Sequence, residues 1–219
     1  MNRLAIFDCD GTLVDSQINI CRSVEQAFAA HRIAPPPRVA IRRIVGLSLI
    51  EAMAVLLPEA QADDHIRLAE TYKHIFSTLR ANGGLAEEPL FDGVAEALDV
   101  LEAEGWLLGV ATGKSDRGLA HILATHGLSA RFVTLQTADR HPSKPHPSML
   151  EAAIAEAGAA PDTSVMIGDT SFDMAMARAA GTRAVGVAWG YHARDELTAA
   201  GAHAIAETAA HLAPCMEAA

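Results

Sequence analysis

Two aspartates one residue apart, Asp8 and Asp10, stand where an apolar run meets a glycine in the string IFDCDGTLVDS, residues 6–16. Either carboxylate alone is costly to take out of water. Alternate residues of an extended segment face the same way, so the two side chains can converge on one object. A phosphate together with a divalent cation accounts for both. One carboxylate, Asp8, can attack phosphorus and carry the phosphoryl group until water resolves it. The other, Asp10, can protonate the leaving oxygen and then deprotonate the water. Gly11 permits a close turn, and Thr12 adds a backbone donor and a hydroxyl. Capping of a turn is the plainer reading of the same two acids.

Three further groups carry matching chemistry. In VATGKS, residues 110–115, an apolar run delivers Thr112, Gly113 and Lys114 to a helix start, where a hydroxyl and free N–H groups can cradle a phosphate through Thr112 and Gly113. Ser115 as a helix cap and Gly113 as a turn residue explain the same letters. In HPSKPHP, residues 141–147, Lys144 lies among three prolines that restrict its backbone. It is either a solvated surface amine or the positive charge that several acids and a phosphate would need. In MIGDTSFD, residues 166–173, Asp169 ends another apolar run and Asp173 follows four residues later. Asp169 suits Mg2+, a hard cation that takes carboxylate, water and substrate oxygens. Asp173 can bind through water, orient the loop or cap a helix.

The elements that must position these groups follow from periodicity. Residues 3–8, 107–111 and 163–168 read as strong strands, and 131–134 and 182–187 as weaker ones. Helix signatures follow them: 115–127 begins at Ser115 and stops at Gly127, and the run after GDTSFD stops at Gly181. That alternation predicts a parallel sheet with right-handed crossovers, which turns a long chain separation between the acid motifs into a loop-to-loop distance. The tail AAGAHAIAETAAHLAP reads as a helix pair or a strand plus a helix.

From about Ser16 to Leu85 the rhythm breaks. Four helices are predicted at 16–31, 38–45, 48–57 and 61–80, with Pro35, Pro36 and Pro37 after the first and Asn82, Gly83 and Gly84 ending the last. A helical module at this point can cover the carboxyl ends of the strands, where open α/β sheets bind ligands. Arg38 and Arg42 share a face of the second helix while Arg43 points elsewhere. These three are the candidate specificity residues, with an ordinary charged exterior as the alternative. His31, His65 and His74 lack zinc spacing and read as surface or packing residues, and Met174 and Met176 as core filling.

The string DCDGTLVDS resembles motif one of the haloacid dehalogenase-like hydrolase superfamily, and the later groups resemble its motifs two to four in order, from residue 6 to 173. The resemblance implies Asp8 as nucleophile and Asp10 as general acid and base. It implies Thr112 and Lys144 at the transferring phosphoryl group, and Mg2+ held by Asp8, the Asp10 main-chain carbonyl and Asp169, with Asp173 supporting or completing the site. It further implies an α/β fold: a Rossmann-like three-layer core with parallel strand order 3-2-1-4-5, formed by residues 1–15 and 86–219. Residues 16–85 would be an inserted all-helical cap of the first type, as in phosphoglycolate phosphatases and β-phosphoglucomutases. VGLSL, 45–49, and LFDGV, 90–94, are similar to segments of phosphoglycolate phosphatase relatives, although Asp92 stands where many have proline.

Phosphomonoester hydrolysis on a small phosphorylated metabolite, with phosphoglycolate as the leading named substrate, is the expected function. A phosphomutase stays open, because the letters do not disclose whether the cap excludes water. Carbon–halogen chemistry is disfavoured by Asp10, an acid that such dehalogenases usually lack. A non-catalytic interaction protein is disfavoured by the full set of reactive groups. The formal charge of −10 argues against a broad nucleic-acid or anionic-membrane surface. Three cysteines without CxxC spacing fit a reducing cytoplasm. No stretch approaches the roughly 20 apolar residues of a membrane span, and the beginning of the chain lacks a signal-peptide core. A monomer or a homodimer is expected.

Overall fold

The computed structural model describes residues 1–218. Six parallel strands form one sheet: β1 (Asn2–Phe7), β2 (Trp106–Thr112), β3 (Phe132–Thr137), β4 (Ala159–Gly168), β5 (Arg183–Val187) and β6 (Ala204–Ala206), in the order β3-β2-β1-β4-β5-β6. The expected order of five is present, and the short β6 extends it at one edge. The tail is therefore a strand followed by a helix. β4 starts earlier than its apolar run, because Ala159 pairs with Asn2 although that stretch carries no hydrophobic signal.

Period two explains the layers. Ala5 and Phe7, Leu108 and Val110, and Val165 and Ile167 face one side of the sheet, packed with α5 (Val94–Ala103), α6 (Asp116–Thr125) and α10 (Leu212–Ala218). Leu4, Ile6, Ala111 and Met166 face the other, against α7 (Ser148–Ala157), α8 (Ser171–Ala179) and α9 (Arg194–Ala200). Strands covered on both faces read as continuous apolar runs, as these do. Leu4, Ile6 and Phe7 are each at most 1% exposed, and each contributes roughly 1.5–3 kcal/mol. Together that matches the several kcal/mol that one effectively buried charge costs, so β1 can afford to end in an acid. Met174 and Met176 fill the second core, as their spacing indicated.

Between β1 and the rest of the sheet lie α1 (Gln17–Ala30), α2 (Arg38–Arg42), α3 (Leu49–Leu56) and α4 (Ala62–Ala81). They enclose a separate apolar cluster built on Val24, Phe28, Ile41, Met53, Leu68 and Tyr72. The second helix is shorter than its pattern suggested, since residues 43–47 turn and Gly46 takes a φ of 99°. His65 is buried and bonds the Leu57 carbonyl at 2.9 Å, a packing role. His31 bonds Thr71. Cys9, Cys21 and Cys215 are free thiols. Among the described residues no helix is long and apolar enough to cross a membrane.

Candidate active site

Parallel register brings the motifs together. Phe7, the last residue of β1, pairs with Val110 on one side and Ile167 on the other, and the Asp8 N–H donates to the Ile167 carbonyl at 2.9 Å. The loops that leave the three central strands therefore start side by side at the carboxyl edge of the sheet. Asp8, Thr112, Lys144, Asp169 and Asp173 are all buried there, and Asp10 is only 7% exposed.

Oxygen atoms of Asp8, Asp169 and Asp173 lie within 4.8 Å of one another. The Lys144 ammonium sits among them, donating to Asp173 Oδ1 at 2.6 Å and lying 2.9 Å from Asp8 Oδ1. That second approach is an ion pair out of line for a hydrogen bond, so neither carboxylate oxygen of Asp8 accepts one. Burial raises the Asp8 carboxyl to about 7 even though Lys144 pulls it down, with Asp173 and Asp10 adding to the rise. Asp169 is raised as well, by burial first and then by Asp8 and Asp173. Burial opposes the charge on Lys144, but Asp173 and Asp8 outweigh it and hold the ammonium above its ordinary value.

Each acid is placed by specific local structure. The Asp169 oxygens accept from Thr12 Oγ1 at 3.0 Å and from the Tyr191 N–H at 2.9 Å. Gly11 has a φ of 91° and lies so close to Asp169 that a Cβ would collide with the carboxylate, so only glycine serves. Asp173 completes a capping box with Thr170: its Oδ2 accepts from the Thr170 N–H at 3.1 Å and the Thr170 hydroxyl at 2.7 Å. Both Asp173 oxygens are thus engaged, one by the cap and one by Lys144. Of the readings of Asp173, the helix cap is the one this geometry contains.

Asp10 faces away from this cluster. Its Oδ1 accepts from Lys114 Nζ at 2.6 Å and from the Ser16 hydroxyl. Thr112 Oγ1 accepts from the Lys114 N–H at 3.2 Å. Gly113 lies under residues 46 and 47, where a Cβ would come within 2.7 Å of both the Gly46 and Leu47 carbonyl oxygens. The helical segment therefore rests directly on the loop after β2, and the Ser48 N–H donates to Ser143 Oγ at 2.8 Å.

A cavity of about 490 Å³ opens between the helical segment and the loop after β2, with Asp10, Gly113 and Lys114 on its lining. The three arginines singled out from the sequence do not line it. Arg38 holds Glu25 in a bidentate pair at 2.6 and 3.0 Å, Arg42 reaches Gln17, and Arg43 pairs with Glu196 of α9. All three are engaged by these partners and lie off the cavity, as the plainer reading of a charged exterior expects. Their places fall to Lys73, Arg80 and Arg117, with His74 also on the lining. The sequence reading missed Lys114, Ser16 and Tyr191 as site residues. Lys114 stood in the quoted motif, but four rotatable bonds hide where its amine goes, and the signal for Tyr191 was only a glycine between two aromatics in WGY.

Three buried carboxyls share one ammonium, which is why burial and their mutual repulsion raise Asp8 and Asp169, and Asp8 keeps two oxygens without an aligned donor. A divalent cation fits that donor set. Asp8 and Asp169 are the natural ligands, since the Asp173 oxygens are already committed.

Fold and site together define a Rossmann-like α/β protein with an acid–lysine centre at the carboxyl edge of its sheet. The chain belongs to the haloacid dehalogenase-like hydrolase family, whose model matches residues 5–187. A Dickeya dadantii relative named "Probable phosphatase IndB" is 37% identical over 213 residues, covering 95% of this chain and 90% of its own. A phosphoglycolate phosphatase of Xylella fastidiosa is 31% identical over 195 residues, covering 89% and 83% respectively. The crystal structure of a hydrolase from Pseudomonas syringae superposes with a TM-score of 0.84 at 27% identity, covering 99% of this chain and 98% of that one.

Proposed function

We propose that the protein is a Mg2+-dependent phosphomonoester hydrolase that works through a phosphoryl group carried on Asp8. The observation that carries this reading is the pair of Asp8 oxygens, fully buried, without an aligned donor, and 2.9 Å from the Lys144 ammonium on one side. An acid that only capped a turn would have its oxygens satisfied by the turn. Family membership and the names of the relatives support phosphatase chemistry.

Asp8 attacks phosphorus, and the bond to the leaving oxygen breaks with its electron pair going to that oxygen, which takes a proton from Asp10. Water then attacks the phosphorus, Asp10 takes a proton from it, and the Asp8–phosphorus bond breaks to release phosphate. Lys144 offsets charge at the transferring group, Asp173 holds Lys144 in place, and Thr112 offers its hydroxyl to a phosphoryl oxygen. Mg2+, held by Asp8, Asp169 and the Asp10 main-chain carbonyl, would neutralise charge as the anionic substrate approaches. Lys114 and Ser16 both hold Asp10 through Oδ1, so Oδ2 is the oxygen left to serve the leaving group.

We assign residues 16–85 the role of a cap that covers the site and admits substrate by moving from Gly113; its separate apolar cluster supports this division from a core of 1–15 and 86–219. Phosphoglycolate, the substrate in the Xylella relative's name, is the first metabolite to assay. The test is phosphate release from an aryl phosphate with and without Mg2+, using wild type and Asp8→Asn. Turnover that needs Mg2+ and is lost in Asp8→Asn is expected; equal release by both proteins overturns the reading.

A further inference from the structure

Resting on the phosphomonoesterase reading, we infer that the leaving group has an apolar body and ends in a second anionic group held by Arg80 and Arg117. The cavity of about 490 Å³ that contains Asp10 is where the leaving group must lie, since Asp10 is the group that protonates it. Such a volume falls among pockets that enclose ligands far larger than a two-carbon acid, about 300–1,000 Å³. Its wall is supplied by Val24, Val45, Leu49, Met53, Tyr72 and Phe76. A sugar would need many hydrogen bonds here. The neutral side chains on offer are Tyr72, His74, Ser77 and Ser115, and Ser115 already accepts the Gly118 N–H as the cap of α6. The polar groups that remain open on the lining are chiefly the cations Lys73, Arg80 and Arg117, which favour an anion over a neutral hydroxyl.

The same lining gathers positive charge although the chain as a whole is acidic. Acids exceed bases by 27 to 17, and Arg3, Arg38, Arg43, Arg67, Arg131, Arg140 and Arg194 all pair with carboxylates. Arg80 and Arg117 do not: among the described residues neither has a carboxylate within ion-pair distance. The Arg80 guanidinium lies 5.2 Å from the centre of the Phe76 ring, and its buried Nε has no acceptor. Burial and the neighbouring charge of Arg117 both pull Arg80 below its ordinary pKa, only partly offset by Glu88, whose carboxylate is engaged by Asn19. Lys73 adds a third positive group beside Lys114, which is paired with Asp10, and Asp139 is the one acid on the lining besides Asp10. Two adjacent guanidiniums with open donors suit a carboxylate or a second phosphate, which they can bind through paired N–H groups.

Kinetics on the full-length protein with Mg2+ test this with matched aryl esters: 4-carboxyphenyl phosphate, 4-(carboxymethyl)phenyl phosphate and 1,4-phenylene bisphosphate against the neutral isostere 4-carbamoylphenyl phosphate. At least one anionic ester is expected to exceed the neutral one in kcat/KM by tenfold or more, the three arms separating carboxylate from phosphate and short from long. In the double variant Arg80→Gln, Arg117→Gln that ratio is expected to fall to near one. Equal kcat/KM in wild type, a ratio that persists in the variant, or phosphoglycolate outranking every aryl ester overturns the inference. Calorimetry with 4-hydroxybenzoate and 4-hydroxybenzamide reads the pocket without turnover. Arginine-dependent binding of the benzoate with no ester hydrolysed sinks the phosphatase reading and keeps the pocket; hydrolysis without anion preference does the reverse.

Discussion

Replacing Lys144 by methionine keeps an unbranched side chain of nearly the same length and removes the ammonium that pairs with the buried acids Asp8 and Asp173. At an effective dielectric constant of about 20, charges 2.6 and 2.9 Å apart attract by about 6 kcal/mol each. Seating the ammonium costs several kcal/mol of hydration, so the expected net loss is about 3–5 kcal/mol, as when one partner of a buried pair is deleted. For a chain of this size that is roughly 6–20 °C in Tm. The loss depends on the acids being ionised. Burial raises Asp8 to about 7, so at pH 8 that carboxylate is charged and needs the ammonium, whereas at pH 5 it is protonated and the need falls. Urea unfolding of wild type and Lys144→Met with a chelator present, at both pH values, measures this. A loss below about 1 kcal/mol at pH 8, or one equally large at pH 5, refutes the claim that Lys144 offsets the charge of this cluster.

Asp8→Asn should make the metal-free protein more stable even as it removes turnover. An acid whose folded-state pKa is raised weakens the fold as pH climbs from the ordinary carboxylate value to the raised one, about 7 here. Removing the charge should therefore add on the order of 4 kcal/mol at pH 8 and nothing at pH 4; a urea midpoint that drops at pH 8 contradicts it. Gly113→Ala sets a methyl group within 2.7 Å of two carbonyl oxygens of the helical segment. It should cost about 1–3 kcal/mol and speed hydrogen exchange at the Ser48 amide, which bonds Ser143; unchanged exchange there would mean the segment does not rest on Gly113.

The sequence alone determined where the acids would stand, because strands and the turns that end them are written in short-range pattern. Apolar runs of strand length fixed β1, β2 and β4, and an acid one step past such a run has no choice but to leave the carboxyl edge of the sheet. Gly11 was legible for the same reason, as a positive φ admits little else. The strand order and the acid–lysine grouping came only from the resemblance to the family's motifs, since parallel pairing by itself leaves both open. β6 and the start of β4 were not legible, since Ala-rich and polar residues become strand only by pairing with a neighbour already in place. Nor was the destination of long side chains. Lys144 and Lys114 each end on an aspartate, while Arg38, Arg42 and Arg43 turn to surface partners and leave the cavity to Arg80 and Arg117. A backbone position follows from local dihedral preference, but the end of a lysine or arginine goes wherever the folded chain offers the best-placed charge, and that is decided only when distant segments meet.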